Sequence, residues 1–226
     1  MLEIWGRSSS LNVRKVMWAA QEVGVPFERI DAGWNYGIVD TPEYRRMNPN
    51  GLVPTLIDRG GLDRDAQSPQ AGAPDADNGA FLLWESNAIV RYLAAKYSLG
   101  GLYPEPLRAR FDAERWMDWQ QTALNPAGRD AFVQLIRTSP ERRDKAAIDA
   151  SIAATEPLHT LLDDHLSRRE FMAGERFTMA DIPIGVEVHR WFGLPRERPA
   201  RPHIERWYKT VLARPATEGV LDLELV

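Results

Sequence analysis

The sequence of 226 residues contains no cysteine. The protein can therefore form no disulfide bond, offer no thiolate to a metal ion and supply no cysteine nucleophile of its own. Any sulfur chemistry has to arrive with a bound ligand. The four histidines do not lie at metal-ligand spacing, so we expect no metal site; they are His159, His165, His189 and His203.

An excess of basic charge is also missing. The 28 Lys and Arg residues are outnumbered by 32 Asp and Glu residues, which gives a net charge of −4. Because nucleic acids and anionic membranes attract clustered basic residues, neither is an expected partner. The longest segment without charge, 47–57, is far shorter than the ~20 apolar residues of a membrane-spanning helix. With an N-terminus that lacks a basic signal-peptide region, these features predict a soluble cytoplasmic protein.

The N-terminal part of the chain alternates strand-like and helix-like segments. Four apolar residues after Ser10 recur at the i, i+3, i+4, i+7 spacing of a helix with one buried face: Val13, Val16, Met17 and Ala20. Thr41 and Ser86 are typical caps for two further helices. The β-rich segments that predict strands are 2–5, 27–31, 53–57 and 81–84. The predicted order of elements is βαβαββα.

The remainder of the chain predicts helices only, around 108–124, 139–167, 178–192 and 202–213. Pro157 is expected to kink or split the second of these. The Gly- and Pro-rich segment 98–106 predicts a boundary between domains at 1–98 and 107–226. The polar segment 58–80 predicts a long hairpin loop, with an insertion at about 63–79.

The serine loop, residues 8–10, lies between the first predicted strand and the first predicted helix. Free backbone N–H groups and the positive end of the helix dipole favour an anion at such a place, and a serine hydroxyl adds a donor. Alternatively, one serine simply caps the helix.

Three further motifs are candidates. A cis bond before Pro54 would turn the backbone of Val53 outward, towards an extended peptide-like ligand; the alternative is a proline that begins an edge strand. Glu85 and Ser86 suit the head group of an α-amino acid, or serve only as a helix cap. For Thr178 through Asp181 we favour a structural interpretation, because they form a capping box.

In this order, the motifs resemble those of the glutathione S-transferase family, especially its bacterial serine-dependent theta-like and nu-like members. The segments that carry the resemblance are 10–16 (SLNVRKV), 48–56 (NPNGLVPTL), 85–93 (ESNAIVRYL) and 173–182 (AGERFTMADI). The resemblance implies a thioredoxin-like domain that binds glutathione, followed by an all-helical domain with a hydrophobic substrate pocket. It also implies a homodimer that detoxifies hydrophobic electrophiles or peroxides.

The resemblance assigns a role to particular residues. They are Ser10 at the glutathione sulfur, Asn12 as a second donor, Val53 and cis Pro54 at the cysteinyl backbone, and Glu85 and Ser86 at the γ-glutamyl end. Within three consecutive serines, Ser9 is the alternative to Ser10. Three tryptophans either line the electrophile pocket or belong to the core or a dimer interface: Trp34, Trp116 and Trp119.

The energies make a serine sufficient for this chemistry. Lowering a thiol pKa from ~8.5 to ~6.5 requires ~2.7 kcal/mol of preferential thiolate stabilisation. One hydrogen bond to a charged group contributes ~1.5–3 kcal/mol, and a helix N-terminus adds ~0.3–1 kcal/mol. The absence of cysteine excludes the family's Cys-dependent classes. Two other functions stay open: a non-catalytic binding or regulatory protein, and a specialised glutathione-dependent dehalogenase, isomerase or ether-cleaving enzyme.

Overall fold

A computed structural model of the chain describes residues 1–60 and 80–226. These residues form two compact units, Met1–Leu93 and Ala94–Val226. The predicted insertion at 63–79 lies outside the described residues. The predicted limits of the domains, at 98 and 107, stay a prediction.

In the described residues, the first unit contains a four-stranded mixed sheet and three helices, the last of which continues into the second unit. Its strands are β1 (Leu2–Trp5), β2 (Phe27–Ile30), β3 (Thr55–Asp58) and β4 (Phe81–Trp84), and its helices are α1 (Leu11–Glu22), α2 (Pro42–Met47) and α3 (Ser86–Tyr97). The strands lie in the order β2-β1-β3-β4, with β1 parallel to β2 and antiparallel to β3. The predicted βαβαββα order and the thioredoxin-like fold are confirmed.

The strand register brings four connections to one end of the sheet. Trp5, at the end of β1, lies opposite both Ile30 of β2 and Thr55 of β3. Thr55 in turn lies opposite Trp84, the last residue of β4. The chain therefore leaves β1, β2 and β4 and enters β3 at the same edge.

Local sequence explains the first helices. The predicted stripe of α1 is buried in the core of the unit, and Gly24 follows the helix with φ 67°, a conformation that glycine adopts without strain. The Thr41 side chain caps α2 by accepting the Tyr44 N–H at 3.2 Å. Strand β3 begins at Thr55, two residues later than predicted, because Pro54 has no N–H to give to the ladder.

The second unit consists of helices α4 (Leu107–Trp119), α5 (Asn125–Phe132), α6 (Lys145–Leu166), α7 (Asp181–Phe192) and α8 (Pro202–Leu212). Two π-type turns, Gln120–Leu124 and Val133–Arg137, continue the helical chain. The predicted end at 124 was therefore wrong. Pro126 does not end the helical segment, because a proline is tolerated in the first turn of a helix.

Pro157 does not split α6, which is one helix of 22 residues. A single proline removes only one N–H donor, and the packing of the buried face of α6 compensates for it. That face consists of Ser151, Thr155, His159, Leu162 and Leu166. Among the helices in the described residues, none has the length and apolar character needed to cross a membrane.

Candidate functional site

The predicted site residues of the first unit lie at the edge of the sheet where the four connections meet. We call this group the sheet-end site; its members are Ser10, Asn12, Val53, Glu85 and Ser86. The serine loop follows β1, Val53 precedes β3, and Glu85 and Ser86 follow β4. The strand register alone thus brings together residues that are far apart in the sequence.

Ser10 lies immediately before α1, at the N-cap position. Its carbonyl accepts the Arg14 N–H at 2.9 Å, as the residue before a helix should. Its hydroxyl makes no capping bond, however, and it has no hydrogen-bond partner in the described parts of the chain. The side chain is 9% exposed. The hydroxyl is therefore available to a ligand at the helix N-terminus.

Asn12 and Ser86 connect the starts of two helices. The Ser86 hydroxyl donates to Asn12 Oδ1 across 3.2 Å. Since Asn12 is in the first turn of α1 and Ser86 is the first residue of α3, this bond fixes the two helix N-termini relative to each other. The pair positions one part of the site against another, which is a role that the sequence did not reveal.

Val53 is held by a buried polar network just before it. The Leu52 carbonyl accepts the Tyr44 hydroxyl at 2.7 Å and Asn48 Nδ2 at 2.8 Å. The Val53–Pro54 bond is cis. Within the described residues, the N–H and C=O of Val53 form no backbone hydrogen bond. Neither Tyr44 nor Asn48 was predicted from the sequence as a support of Val53, although Asn48 belongs to the motif at 48–56.

Glu85 is an exposed residue with a strained backbone. Its φ is 72°, in the left-handed region that side chains other than glycine seldom adopt. Its carbonyl accepts the Ile89 N–H at 2.9 Å, so Glu85 lies at the N-terminus of α3. Strain of this kind persists where the surrounding structure enforces it, and it is frequent at binding sites.

The three predicted pocket tryptophans belong to different units. Trp34 is in the first unit and is 54% exposed. In the second unit, Trp116 and Trp119 meet edge to face at 5.2 Å and line a cavity of about 630 Å³. Leu161, Asp164, His165 and three arginines also line it. Burial lowers the pKa of His165, which favours the neutral form of its imidazole.

Asp181 has the surroundings of a structural residue. Its Oδ2 accepts the Thr178 N–H at 2.9 Å, which is one half of the predicted capping box. In the other half of a capping box, the Thr178 hydroxyl would accept the N–H of Asp181. It accepts the N–H of Ala180 instead, at 3.3 Å, so this bond is displaced by one residue. Asp181 Oδ1 accepts N–H groups of Met172 and Trp207, each at 2.9 Å. No local sequence pattern predicts these last two bonds.

Residues 1–60 and 80–226 contain no group of three or more His, Cys, Asp or Glu side chains placed to hold a metal ion.

Comparison with known proteins identifies the family. The model of the glutathione S-transferase N-terminal domain matches residues 9–96, and that of the C-terminal domain matches residues 124–215. Over 221 residues, the chain is 39% identical to the glutathione S-transferase GstB of Escherichia coli K12, with 98% of each chain covered. The chain belongs to the glutathione S-transferase family. The predicted family, and with it the predicted class of enzyme, is confirmed.

Other members of the glutathione S-transferase family are also similar. Glutathione S-transferase 3 of Zea mays is 30% identical over 225 residues, covering 95% of this chain and 90% of the maize protein. The theta class glutathione S-transferase of Xanthomonas axonopodis pv. citri, solved with glutathione bound, is 40% identical with a TM-score of 0.87. That similarity covers 100% of this chain and 99% of the Xanthomonas chain.

Proposed function

We propose that this glutathione S-transferase uses the Ser10 hydroxyl to stabilise the thiolate of glutathione for attack on a hydrophobic electrophile or a peroxide. Glutathione lies along the first unit. Asn12 is the second polar group near the sulfur and also holds Ser86. The nucleophile is thus the thiolate of a co-substrate, glutathione, and not a protein side chain.

The observation that carries this proposal is the unused hydroxyl of Ser10 at the N-terminus of α1. The side-chain oxygen of a serine at an N-cap position normally accepts a backbone N–H of the helix, and that of Ser10 does not. A thiolate at this place would accept the hydroxyl proton and would also benefit from the helix dipole. The bound glutathione of the Xanthomonas relative supports the same ligand here.

The rest of the sheet-end site suits the other parts of glutathione. The unpaired backbone groups of Val53, before Pro54, fit the N–H and C=O of the cysteinyl residue, as an added strand would. The carboxylate of Glu85 pairs with the γ-glutamyl ammonium. The N-terminus of α3, with Ser86, receives the γ-glutamyl carboxylate. The electrophile packs against apolar side chains, for which Trp34, Trp116 and Trp119 are the candidates.

We also propose that the protein is a cytoplasmic homodimer that requires no metal. The absence of cysteine is compatible with a reducing compartment. The chemistry itself needs only a thiolate and an electrophile.

Replacing Ser10 tests the proposal. We expect Ser10→Ala to bind glutathione with nearly unchanged affinity and to lose at least about tenfold in turnover with a reactive aryl halide, which corresponds to ~1.4 kcal/mol of transition-state stabilisation. The ultraviolet absorbance of the bound thiolate, followed against pH, should show a higher thiol pKa than in the wild type.

Ser9→Ala is the matched control, because it removes the same hydroxyl from the neighbouring residue. Its turnover should change by less than about threefold. Equal turnover of Ser10→Ala and wild type, or a large loss only in Ser9→Ala, would contradict the role of Ser10. Binding of glutathione without any transfer by the wild type would instead identify a binding or regulatory protein.

A further inference from the structure

Arg7 lies in the loop that leads from β1 to Ser10. Its N–H donates to the Ala32 carbonyl at 3.2 Å, in the segment that follows β2. Its own carbonyl accepts the Ser10 N–H at 3.0 Å. These two bonds fix the backbone of Arg7 beside the serine loop, at the edge of the sheet where the sheet-end site is built.

The side chain of Arg7 contacts the Trp34 ring and lies beside Gly33. Its guanidinium carbon is 5.4 Å from the centre of the Trp34 ring, in a cation–π contact. A Cβ atom on Gly33 would come within 3.1 Å of Arg7 Nη1 and 3.3 Å of Val53 Cγ1. The absence of a side chain at Gly33 therefore leaves room for the guanidinium of Arg7.

Arg7 is a partly buried cation without a counter-ion. In the described parts of the chain no carboxylate pairs with it, and its buried Nε has no acceptor. Burial lowers the pKa of this guanidinium. Two other arginines of the first unit differ, since Arg29 pairs with Asp31 and Arg59 pairs with Glu3. Because an unpaired charge that is partly removed from water is costly, such a residue is a candidate to bind an anion.

We propose that Arg7 binds a carboxylate on the electrophile, so that the enzyme selects electrophiles that carry a negative charge. This inference rests on the proposed function, because it places the sulfur at Ser10. Arg7 precedes Ser10 by three residues and is joined to it by a hydrogen bond, so a carboxylate held by Arg7 keeps the rest of the electrophile close to the sulfur. The exposed Trp34 ring offers a surface for a planar substrate.

The reaction with a carboxylated aryl chloride balances without a further reactant. The thiol proton has already passed to water when glutathione binds. The sulfur electron pair forms the C–S bond, the C–Cl bond breaks, and chloride leaves with its electron pair. Arg7 stays protonated throughout and neutralises the carboxylate, so it sets specificity and takes no part in proton transfer.

Two electrophiles that differ only in charge test this inference. The first is a chloronitrobenzoate with chlorine ortho to the nitro group, and the second is the corresponding chloronitrobenzamide. Each kcat/KM is divided by the uncatalysed rate with glutathione, which removes their different intrinsic reactivity. We expect Arg7→Gln to lower the ratio of the benzoate value to the benzamide value by roughly 10- to 100-fold, the loss typical of one hydrogen-bonded ion pair. Arg7→Lys should restore part of the ratio.

Arg176→Gln is the control for net charge, because it removes an exposed arginine of the second unit. Its ratio should match that of the wild type, and thermal melting shows whether each variant is folded. An equal loss with both electrophiles, together with a raised KM for glutathione, would show that Arg7 binds the glycyl carboxylate of glutathione, which overturns the inference. An unchanged ratio overturns it as well. If the wild type conjugates neither electrophile, the proposed function itself has failed.

Discussion

At the scale of single residues, Ser10 separates the position of a helix cap from its chemistry. Its backbone has the extended conformation of an N-cap, with φ −79° and ψ 123°, while its hydroxyl takes no part in capping. From the sequence, Ser10 could be either a helix cap or a hydrogen-bond donor to a ligand. Only the hydrogen bonds of the folded chain distinguish a hydroxyl that stabilises the helix from one that is available to a ligand.

His159 is a residue whose burial affects the stability of the protein. Its Nδ1 lies 3.3 Å from the Thr155 carbonyl, and its ring stacks on Trp191 at 5.4 Å. Its Nε2 is buried and has no hydrogen-bond partner among residues 1–60 and 80–226. Burial lowers the pKa of His159 to about 4, with Arg201 and Arg196 acting in the same direction and Glu156 against them. The folded protein thus keeps this imidazole neutral.

We therefore expect His159 to weaken the folded state in acid. In the unfolded chain the imidazole binds a proton below the ordinary pKa of 6.5, whereas in the folded protein it does so only near about 4. The unfolded state gains protons first, so the free energy of unfolding falls as the pH drops through this range, by up to about 3 kcal/mol.

Denaturant unfolding of wild type and His159→Gln at several pH values measures the effect. The variant should gain stability relative to the wild type between pH 6.5 and 4, because it has no group to protonate here. His203→Gln is the control, since it removes a histidine that is only partly buried. A stability difference between wild type and His159→Gln that does not vary with pH would contradict this account.

At the scale of elements, the start of α7 depends on one buried carboxylate. Asp181 connects three segments by accepting N–H groups from Thr178, from Met172 and from the indole of Trp207 in α8. Burial raises the pKa of Asp181 to about 6, although these hydrogen bonds oppose the shift. The capping box foreseen from the sequence is thus only one part of a larger connection within the second unit.

Asp181→Ala should destabilise the protein by roughly 3 kcal/mol, which is more than the ~1 kcal/mol of an ordinary helix cap. The reason is that three buried N–H groups, those of Met172, Thr178 and Trp207, lose their hydrogen-bond acceptor. Thermal and denaturant unfolding measure the loss, and Asp130→Ala, at an exposed position on α5, is the control. Turnover per folded molecule should stay close to that of the wild type. A purely catalytic loss with unchanged stability would refute the structural role.

At the scale of the whole molecule, α4 carries large apolar side chains that are exposed to solvent in the monomer. Leu107 is 65% exposed and Phe111 is 62% exposed, one helical turn apart. Adjacent exposed apolar residues are typical of a contact with another protein. They support the proposed homodimer, with α4 at the subunit interface.

Phe111→Glu should therefore shift the protein towards monomers, because it places a charge where apolar contact is required. Sedimentation equilibrium measures the mass; the wild type should give twice the 25.6 kDa of one chain, and the variant a value near one chain. Leu212→Glu, which changes a 42% exposed leucine of α8, should remain a dimer. A monomeric wild type would rule out the homodimer, and a dimeric Phe111→Glu would rule out this interface.

The order of the elements, and many of the positions where they begin and end, could be predicted from the sequence. The stripe of α1 and the cap at Thr41 were both visible, since they depend on residues that are close in the chain. Local rules overstated the effect of Pro157, because tertiary packing compensates for one missing N–H.

Contacts between distant segments depend on the tertiary structure. The Ser86 hydroxyl bonds to Asn12, the Arg7 guanidinium contacts the Trp34 ring, and the Trp207 indole bonds to Asp181. Each of these contacts joins segments that are distant in the sequence. Strand register and burial create these contacts, and both depend on the packing of the whole unit instead of on any local pattern. The charge and hydrogen-bond environment of the site therefore could not be predicted from the sequence and is seen only in the folded structure.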